Sequence, residues 1–143
     1  MPTHDSFRKP SIESFYPQKP TVVNVDDDSD SLLLVSYVLE AFSCSSLCET
    51  EGESALKLIS RLIPDLILVD IRLPKLSGLD IIRTLKANQP TSKIPAIAIT
   101  AVPGAEYRRE IFRAGFDHYL CKPYHLDDLY AAIGCYLPVK SIA

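Results

Sequence analysis

Four aspartates stand within five positions at the end of the first apolar run, in the stretch TVVNVDDDSD (residues 21–30). Carboxylates this close repel one another, because two of them about 4 Å apart cost roughly 4 kcal/mol at an effective dielectric constant near 20. A charge run on a solvated loop is the ordinary explanation for such a stretch. A bound cation is the other, since it would neutralise the carboxylates and give them a chemical task.

A calcium loop of the EF-hand type is the first cation site to consider. Asp26, Asp28 and Asp30 occupy positions 1, 3 and 5 of that motif. The motif also requires glycine at position 6 and glutamate at position 12, where this chain has Ser31 and Tyr37. The apolar run before the aspartates is typical of a buried strand and not of the entering helix. These differences exclude an EF-hand.

Further polar residues follow three later apolar runs of the chain. Asp70 ends the run LILVD, Thr100 ends AIAIT, and Lys122 follows HYLC. Each has an ordinary explanation when taken alone, since an aspartate after a strand often caps the next helix. If the runs are parallel strands, however, their carboxyl ends share one edge of the sheet, where ligands of such sheets bind. The residues together then predict a polar pocket.

The elements that would position these residues alternate along the chain. The predicted strands cover residues 21–25, 45–49, 66–70, 96–100 and 118–121. The predicted helices cover residues 31–42, 53–62, 78–87, 105–115 and 126–136. Runs that are apolar at consecutive positions, such as LILVD, are typical of parallel strands covered on both faces. The alternation therefore predicts an α/β fold, a doubly wound (βα)5 sandwich with a five-stranded parallel sheet between layers of helices.

The ends of the chain differ from this folded part. Residues 1–20 contain four prolines and show no helical or strand period, so we expect a disordered or loosely docked tail. The aromatic residues of this segment leave open that it packs on its own domain or on a partner. Residues 21–138 form the predicted domain, and residues 139–143 a short C-terminal tail.

Composition narrows the class of protein. A chain of 143 residues with 47% hydrophobic residues and no apolar run near 18 residues is typical of a single globular domain without a membrane span. A net charge of -3 argues against a nucleic-acid surface. The four cysteines form no CxxC pair, and we expect them to be small buried hydrophobes in a reducing cytoplasm. The expected localisation is therefore cytoplasmic.

The charge of the predicted pocket indicates what it would bind. Asp26, Asp27 and Asp70 contribute three negative charges and Lys122 one positive charge, which leaves about -2. One divalent cation would neutralise that charge. A few oxygen ligands with open positions favour Mg²⁺, with Mn²⁺ as a substitute, over a closed calcium cage.

The residues at the strand ends resemble a known family in their order and spacing. Those that carry the resemblance to the receiver domain of two-component response regulators are Asp26-Asp27, Asp70 in LILVDIRLPKLSG, Thr100-Ala101 and Lys122-Pro123. The resemblance covers residues 21 to about 138. It implies the flavodoxin-like fold with strand order 2-1-3-4-5, which agrees with the predicted alternation, and a phosphoacceptor signalling domain that is not an enzyme for an external substrate.

The resemblance also implies a role for each pocket residue. Asp70 would accept the phosphoryl group. Asp27, Asp70 and the backbone carbonyl of Arg72 would bind Mg²⁺ directly, while Asp26 would act through water. Lys122 would pair with a phosphoryl oxygen. Phosphoryl transfer depends mostly on positioning and charge neutralisation, for which a cation and an ammonium are suited.

Further expectations concern the switch, the peptide bond before Pro123 and the cap of the first helix, and all but the cap come from the same resemblance. The Thr100 hydroxyl would bond a phosphoryl oxygen, and Ala101 is small enough to leave room for that group. Tyr119 would turn inward when Thr100 moves, so that the two residues form a switch. The Lys122-Pro123 peptide bond would be cis. Asp28 or Ser29 lies outside the pocket set and would cap the following helix.

The implied partners are proteins. A sensor histidine kinase or a His-phosphotransfer protein would donate the phosphoryl group. A downstream protein would dock on the face of the fourth helix, the strand holding Tyr119 and the fifth helix, where Arg108, Arg109 and Arg113 could bind an acidic partner. We expect no direct nucleic-acid binding and no membrane insertion, and a homodimer stays open. The short chain favours a stand-alone receiver.

Two alternative functions compete with this interpretation. A pseudo-receiver would be a binding module that is never phosphorylated, although such proteins usually lack one of the pocket residues. A haloacid-dehalogenase-like phosphatase has its nucleophile in a D-x-D loop, which Asp26 and Asp28 satisfy. The Thr or Val that follows in that motif is absent here, and so is a cap insertion.

Overall fold

Five parallel strands form a single sheet in the order β2-β1-β3-β4-β5. The computed structural model describes residues 19–102 and 104–140. Most of the predicted N-terminal tail and the last three residues therefore lie outside the described residues. The elements are β1 (Thr21–Val25), α1 (Ser29–Leu39), β2 (Ser45–Glu49), α2 (Gly52–Leu62), β3 (Leu66–Asp70), α3 (Gly78–Ala87), a 3-10 turn (Gln89–Thr91), β4 (Ala96–Thr100), α4 (Ala105–Ala114), β5 (His118–Cys121) and α5 (Leu126–Gly134).

This architecture confirms the predicted doubly wound α/β fold, including the strand order. All five strands have the predicted bounds, whereas among the helices only α3 has both predicted ends. Helix α2 begins one residue earlier than predicted, at Gly52. Helix α1 begins at Ser29 because the Asp28 side chain caps it and accepts a hydrogen bond from the backbone N–H of Asp30. It ends at Leu39, so the buried Phe42 lies beyond the helix, in an isolated bridge to Val139.

The other helix ends differ less from the prediction. Helix α5 ends at Gly134, two residues earlier than expected. Helix α4 ends at Ala114, and Gly115 follows it with a φ of 126°, a conformation that favours glycine. Phe116 after α4 and Leu137 after α5 are buried, so apolar residues that face the core continue past both helix ends.

The core consists of two layers on either side of the sheet. The residues of β1, β3 and β4 alternate between these layers, as neighbouring positions of a strand must. Val23 and Ile67 pack with α2, α3 and α4, while Val22 and Leu68 pack with α1 and α5. Strands β3 and β4 are buried at every position. The strands that end in Asp70 and Thr100 are therefore held from both faces.

Strand register brings the polar strand ends together. Val25 pairs with Val69, Asp70 with Ile99, and Thr100 with Cys121. Asp26, Asp70, Thr100 and Lys122 consequently lie at one edge of the sheet, at the carboxyl ends of four parallel strands.

Two observations modify the expectations for the periphery. Cys48 and Cys135 are exposed, so the prediction that all four cysteines are buried is wrong for these two, which lie on an edge strand and just past the end of a surface helix. Cys44 and Cys121 are only partly buried. Val139 and Lys140 bond to the segment after α1, with the Lys140 N–H donating to the Ala41 carbonyl at 2.9 Å. The bonded part of the chain thus extends two residues past the predicted boundary at 138.

Among the described residues, no helix is long and apolar enough to cross a membrane.

Helix α3 begins close to the backbone of Asp70 and Ile71. A Cβ atom on Gly78 would lie 2.6 Å from the carbonyl oxygen of Asp70 and 2.8 Å from the Cα of Ile71. We predict that Gly78→Ala lowers the free energy of unfolding by about 1–3 kcal/mol, because the clash is with backbone that cannot rotate away. Urea unfolding would measure this.

The matched control is Gly134→Ala at the end of α5. A Cβ atom there would meet its nearest neighbour, the Phe42 ring, at 3.9 Å, which is ordinary contact. Alanine in a helix is favoured over glycine by up to about 1 kcal/mol, so this variant should be neutral or more stable. Equal losses in the two variants would contradict the close approach at Gly78.

Candidate functional site

Three carboxylates meet at the carboxyl edge of the sheet. Asp26, Asp27 and Asp70 each offer one oxygen atom, and these atoms lie within 4.8 Å of one another. The side chains of Asp26 and Asp70 are only 5% and 9% exposed, whereas Asp27 is exposed. The cluster therefore has two buried members and one that faces solvent, which leaves it open to a ligand from one side.

The ammonium group of Lys122 lies between the two buried carboxylates. Its Nζ is 3.1 Å from Asp26 Oδ2 and 3.3 Å from Asp70 Oδ2. Lys122 follows β5, which is separated from β1 by β3 and β4. The lysine side chain thus reaches back across the edge of the sheet, and its position joins strands that are not neighbours.

Backbone donors fix the orientation of both buried aspartates. The N–H of Asp28 donates to Asp26 Oδ1 at 2.9 Å, and the N–H of Arg72 donates to Asp70 Oδ1 at 2.9 Å. In each aspartate the remaining oxygen contacts Lys122. Both side chains are consequently oriented before any ligand arrives.

Ser31 is a site residue that sequence analysis did not identify. Its hydroxyl donates to Asp28 Oδ2 at 2.8 Å and accepts from Lys122 Nζ at 3.2 Å. The hydrogen bond from Ser31 is the largest cause of the lowered pKa of Asp28. A serine three residues after a capping aspartate was the available signal, but its contact with Lys122 depends on the fold.

The charges of the site are incompletely balanced. Burial is the largest cause of a raised pKa at Asp26; the charge of Asp70 adds to it, while the Asp28 N–H and Lys122 oppose it. Burial also lowers the pKa of Lys122, but its hydrogen bonds and ion pairs with Asp26 and Asp70 outweigh burial, so the net pKa is raised. Lys122 therefore stays charged, but its one positive charge does not fully balance the buried Asp26 carboxylate. An all-oxygen donor set with this deficit fits a hard divalent cation.

The residues expected to form a switch both bond to Val102, in the segment after β4. Thr100 is fully buried, and its hydroxyl oxygen accepts from the N–H of Val102 at 3.1 Å. The Tyr119 hydroxyl, on β5, donates to the carbonyl oxygen of Val102 at 2.9 Å. Sequence analysis did not identify Val102, because these bonds use only its backbone.

The remaining expected residues lie around the pocket. Arg72 and Ala101 are exposed, and the Lys122-Pro123 peptide bond is cis, as the resemblance implied. Helix α4 carries the exposed Arg108, Arg109 and Arg113. The last two of these arginines line a cleft of about 550 Å³ together with Arg83, Glu106, Glu110 and Ala114. The expected basic surface is therefore mixed in charge on this side of the helix.

The fold and the site define a flavodoxin-like α/β domain with an acidic, lysine-containing pocket at the carboxyl ends of its strands. Comparison with known proteins identifies the family. Residues 22–134 match the family model described as the response regulator receiver domain, and the chain belongs to this family. Receiver domains bind Mg²⁺ or Mn²⁺ at an acidic pocket and interact with histidine kinases and downstream effectors.

Individual relatives agree with this assignment. The chain is 32% identical over 117 residues to the polar-differentiation response regulator DivK of Brucella ovis, an alignment that covers 82% of this chain and 95% of DivK. Among solved structures, the Francisella response regulator 1452 receiver domain has a TM-score of 0.75 at 26% identity and covers 82% of this chain and 95% of that one. Several other relatives are longer proteins, of which the chain spans between 12% and 47%.

A third relative bears on the metal. The receiver domain of the sensor histidine kinase PA1611 of Pseudomonas aeruginosa PAO1 was solved with a magnesium ion coordinated in its active-site cleft. Its TM-score to this chain is 0.75 at 25% identity, with 83% of this chain and 98% of that one covered. The cluster of Asp26, Asp27 and Asp70 thus lies in a fold that binds a magnesium ion in this relative.

The raised pKa of Asp26 predicts a pH-dependent effect on stability. An acid whose pKa is higher in the folded protein than its ordinary 3.8 holds more protons when folded, so stability falls as the pH rises through the folded value. Asp26→Asn removes this loss. With EDTA present to remove metal, the variant should therefore gain stability relative to wild type between about pH 4 and about pH 7, measured by urea unfolding.

The exposed Asp30→Asn is the matched control for the loss of one carboxylate in the same stretch of chain. If Asp26→Asn changed the free energy of unfolding by the same amount at about pH 4 and at about pH 7, the inferred charge deficit would be contradicted.

Proposed function

We propose that this domain, over residues 21–138, accepts a phosphoryl group on Asp70 from a phosphohistidine of a sensor histidine kinase or a His-phosphotransfer protein. The observation that carries the proposal is the position of Lys122, whose Nζ lies 3.3 Å from Asp70 and 3.1 Å from Asp26. A buried carboxylate beside an ammonium and two further acids has the charge pattern of a phosphoryl acceptor. Membership of the receiver family supports the same role.

The transfer itself is a displacement at phosphorus. A carboxylate oxygen of Asp70 attacks the phosphorus atom, the P–N bond to the donor histidine breaks, and its electron pair stays on the imidazole. The Arg72 N–H holds Asp70 in position at 2.9 Å during the attack. Most of the acceleration in such reactions comes from positioning and from charge neutralisation. The domain thus acts on its own aspartate, both in phosphorylation and in later hydrolysis, and on no external substrate.

Mg²⁺ or Mn²⁺ would be held by Asp27, Asp70 and the backbone carbonyl of Arg72, with Asp26 acting through water. When bound, the cation supplies positive charge for the phosphoryl oxygens. The exposed Asp27 is the carboxylate that a hydrated ion reaches most directly. Asp26, buried and oriented by the Asp28 N–H, holds Lys122 near the acceptor.

Phosphorylation changes the partners of the surrounding residues. Lys122 transfers from the Asp70 carboxylate to a phosphoryl oxygen, which carries more charge. Thr100 donates its hydroxyl proton to another phosphoryl oxygen, and the small Ala101 leaves space for the group. These new contacts exist only in the phosphorylated state and therefore bias the domain toward a second conformation.

Val102 connects this change to the surface. Thr100 accepts a hydrogen bond from the N–H of Val102, and Tyr119 donates one to its carbonyl, so movement of Thr100 toward the phosphoryl group disturbs the residue whose carbonyl Tyr119 bonds. Tyr119 then loses its acceptor and turns inward. The surface of α4, β5 and α5 changes as a result and binds a downstream partner, with the arginines of α4 facing its acidic groups.

One prediction of the proposed function concerns the acceptor residue, Asp70. Asp70→Asn keeps the shape of the side chain but removes the nucleophilic charge, so labelling by acetyl phosphate in the presence of Mg²⁺ should fall to background. Asp30→Asn should label like wild type. Label can be measured as the mass of an acid-stable, alkali-labile phosphoryl adduct, with EDTA as the metal-free comparison.

Two outcomes would count against the proposal. Undiminished label on Asp70→Asn would show that another residue accepts the group. A wild-type protein that takes no label at all would be a pseudo-receiver that acts only by binding.

Another prediction concerns the switch formed by Thr100 and Tyr119. Beryllofluoride with Mg²⁺ mimics an acyl phosphate, and it should change amide-exchange protection across residues 104–130 of the wild type. Thr100→Ser keeps the hydroxyl and should show the same change. Thr100→Ala should still accept phosphate at Asp70 but lose most of the change in protection, since nothing then displaces Val102. An undiminished change in Thr100→Ala would contradict the route through Val102.

A further inference from the structure

Helix α4 lies on the surface with most of its length uncovered. Of its residues, all of which the structure describes, Ile111 alone is buried. Four charged and exposed residues follow one another at the spacing i, i+3, i+4 and i+7, namely Glu106, Arg109, Glu110 and Arg113. That spacing places them on one face of the helix. These four residues form the charged stripe of α4.

The charged stripe borders the cleft between α3 and α4. Its residues line this cleft of about 550 Å³ together with Arg83 and Ala114. Arg83 Nη2 lies 3.8 Å from Glu110 Oε1, and the two side chains are 53% and 51% exposed. Among the described residues this is the only ion pair that the stripe makes. Exposed pairs of this kind are weak, so most of the charge of the stripe is available to another molecule.

The order of charges makes the stripe complementary to itself. Along the helix the charges read acid, base, acid, base. Two copies of α4 can lie antiparallel about a twofold axis that passes between positions 109 and 110. Glu106 of one copy then faces Arg113 of the other, and Arg109 faces Glu110. Because the axis repeats both contacts, every residue of the stripe meets an opposite charge.

Other arrangements place like charges together. A parallel pair in register sets Glu106 against Glu106 and Arg113 against Arg113. Slippage of the antiparallel pair by about one turn, roughly three residues, brings Glu106 beside Glu110 or Arg109 beside Arg113. A partner that carries one sign of charge would face two residues of its own sign. Juxtaposed like charges disfavour wrong partners and registers, so the stripe selects a second copy of itself.

We propose that the charged stripe is the interface of a homodimer, in which two copies of α4 pack antiparallel across a twofold axis. The contact involves mainly one helix of each copy, so the association is weak and transient, and it depends on electrostatics. Arg83, at the edge of the cleft, adds a positive charge beside Glu110. The inference does not depend on phosphorylation of Asp70.

The test is the dissociation constant of the dimer, measured by sedimentation equilibrium of the full chain up to about 0.5 mM. The wild type should be a mixture of monomer and dimer at about 0.05 M salt and monomeric at about 0.5 M salt, because salt screens exposed charges. Glu106→Arg and Arg113→Glu each place like charges in contact across the axis. Each variant alone should raise the dissociation constant by about tenfold or more.

A mixture of these two variants separates direct contact from a loss of folding. In the mixed pair, the basic side chain introduced at position 106 of one chain faces the acidic side chain introduced at position 113 of the other. The unchanged Glu106 and Arg113 also face each other. Two variants that fail to associate alone should therefore dimerise when mixed, with a dissociation constant within about threefold of the wild type.

Arg108→Glu is the matched control. It changes the charge of the same helix by the same amount as Arg113→Glu, but Arg108 lies on another face, with its guanidinium carbon 5.6 Å from the centroid of the Phe112 ring. Its dissociation constant should equal that of the wild type. A wild type that stays monomeric at low salt, or a mixture of the two variants that does not associate, would overturn the proposal. So would an equal weakening by Arg108→Glu, because net charge alone would then explain the effect.

Discussion

Repulsion among three carboxylates, opposed by one lysine, is the constraint on which the rest of this site depends. The aspartates would separate if their backbone allowed it, and α/β geometry does not allow it. Asp26 and Asp70 follow strands that pair directly through Val25 and Val69. Their oxygens are further held by the backbone N–H groups of Asp28 and Arg72. The fold therefore keeps an unfavourable arrangement of charge in place, and a ligand with positive charge relieves it.

Stability of the core supplies the free energy that this arrangement requires. Strands β3 and β4 are buried at all positions and are covered by helices on both faces. Burying a large aliphatic side chain contributes about 1.5–3 kcal/mol, so a few such residues outweigh the repulsion at the strand ends. Gly78 adds a tight contact, because its lack of a Cβ atom lets the start of α3 lie against the Asp70 carbonyl. Asp70, the proposed acceptor, thus lies at the end of a strand that is buried at every position.

The segment after β4 is held differently, and the proposed switch depends on this difference. Val102 is held by two side chains through its own N–H and carbonyl, and not by strand pairing. Two hydrogen bonds contribute roughly 1–3 kcal/mol in total, which the contacts of a phosphoryl group can exceed. Under the proposed function, an acceptor on a buried strand beside a segment held by two hydrogen bonds would suit a domain that keeps its fold while its surface changes.

Much of this protein was determined by the sequence alone. The strands could be predicted to the residue, because four of the five are short, largely apolar runs that end in a polar residue or are followed directly by one. The convergence of Asp26, Asp70, Thr100 and Lys122 followed from parallel strands sharing one edge. The start of α1 was missed by two residues, since its capping aspartate precedes the hydrophobic period. The expectation of buried cysteines failed at Cys48 and Cys135, because apolar neighbours in sequence do not determine which face of a strand or helix is covered.

Only the tertiary structure decided the contacts between distant side chains. Lys122 bonds Asp26 from 96 positions away and across two intervening strands, and the same lysine reaches Ser31. The bonds of Thr100 and Tyr119 to Val102 use backbone atoms, which every residue type shares, so no pattern of side chains announces them. Periodicity shows which residues face the core, whereas the distances within a site depend on how the packed elements lie against one another.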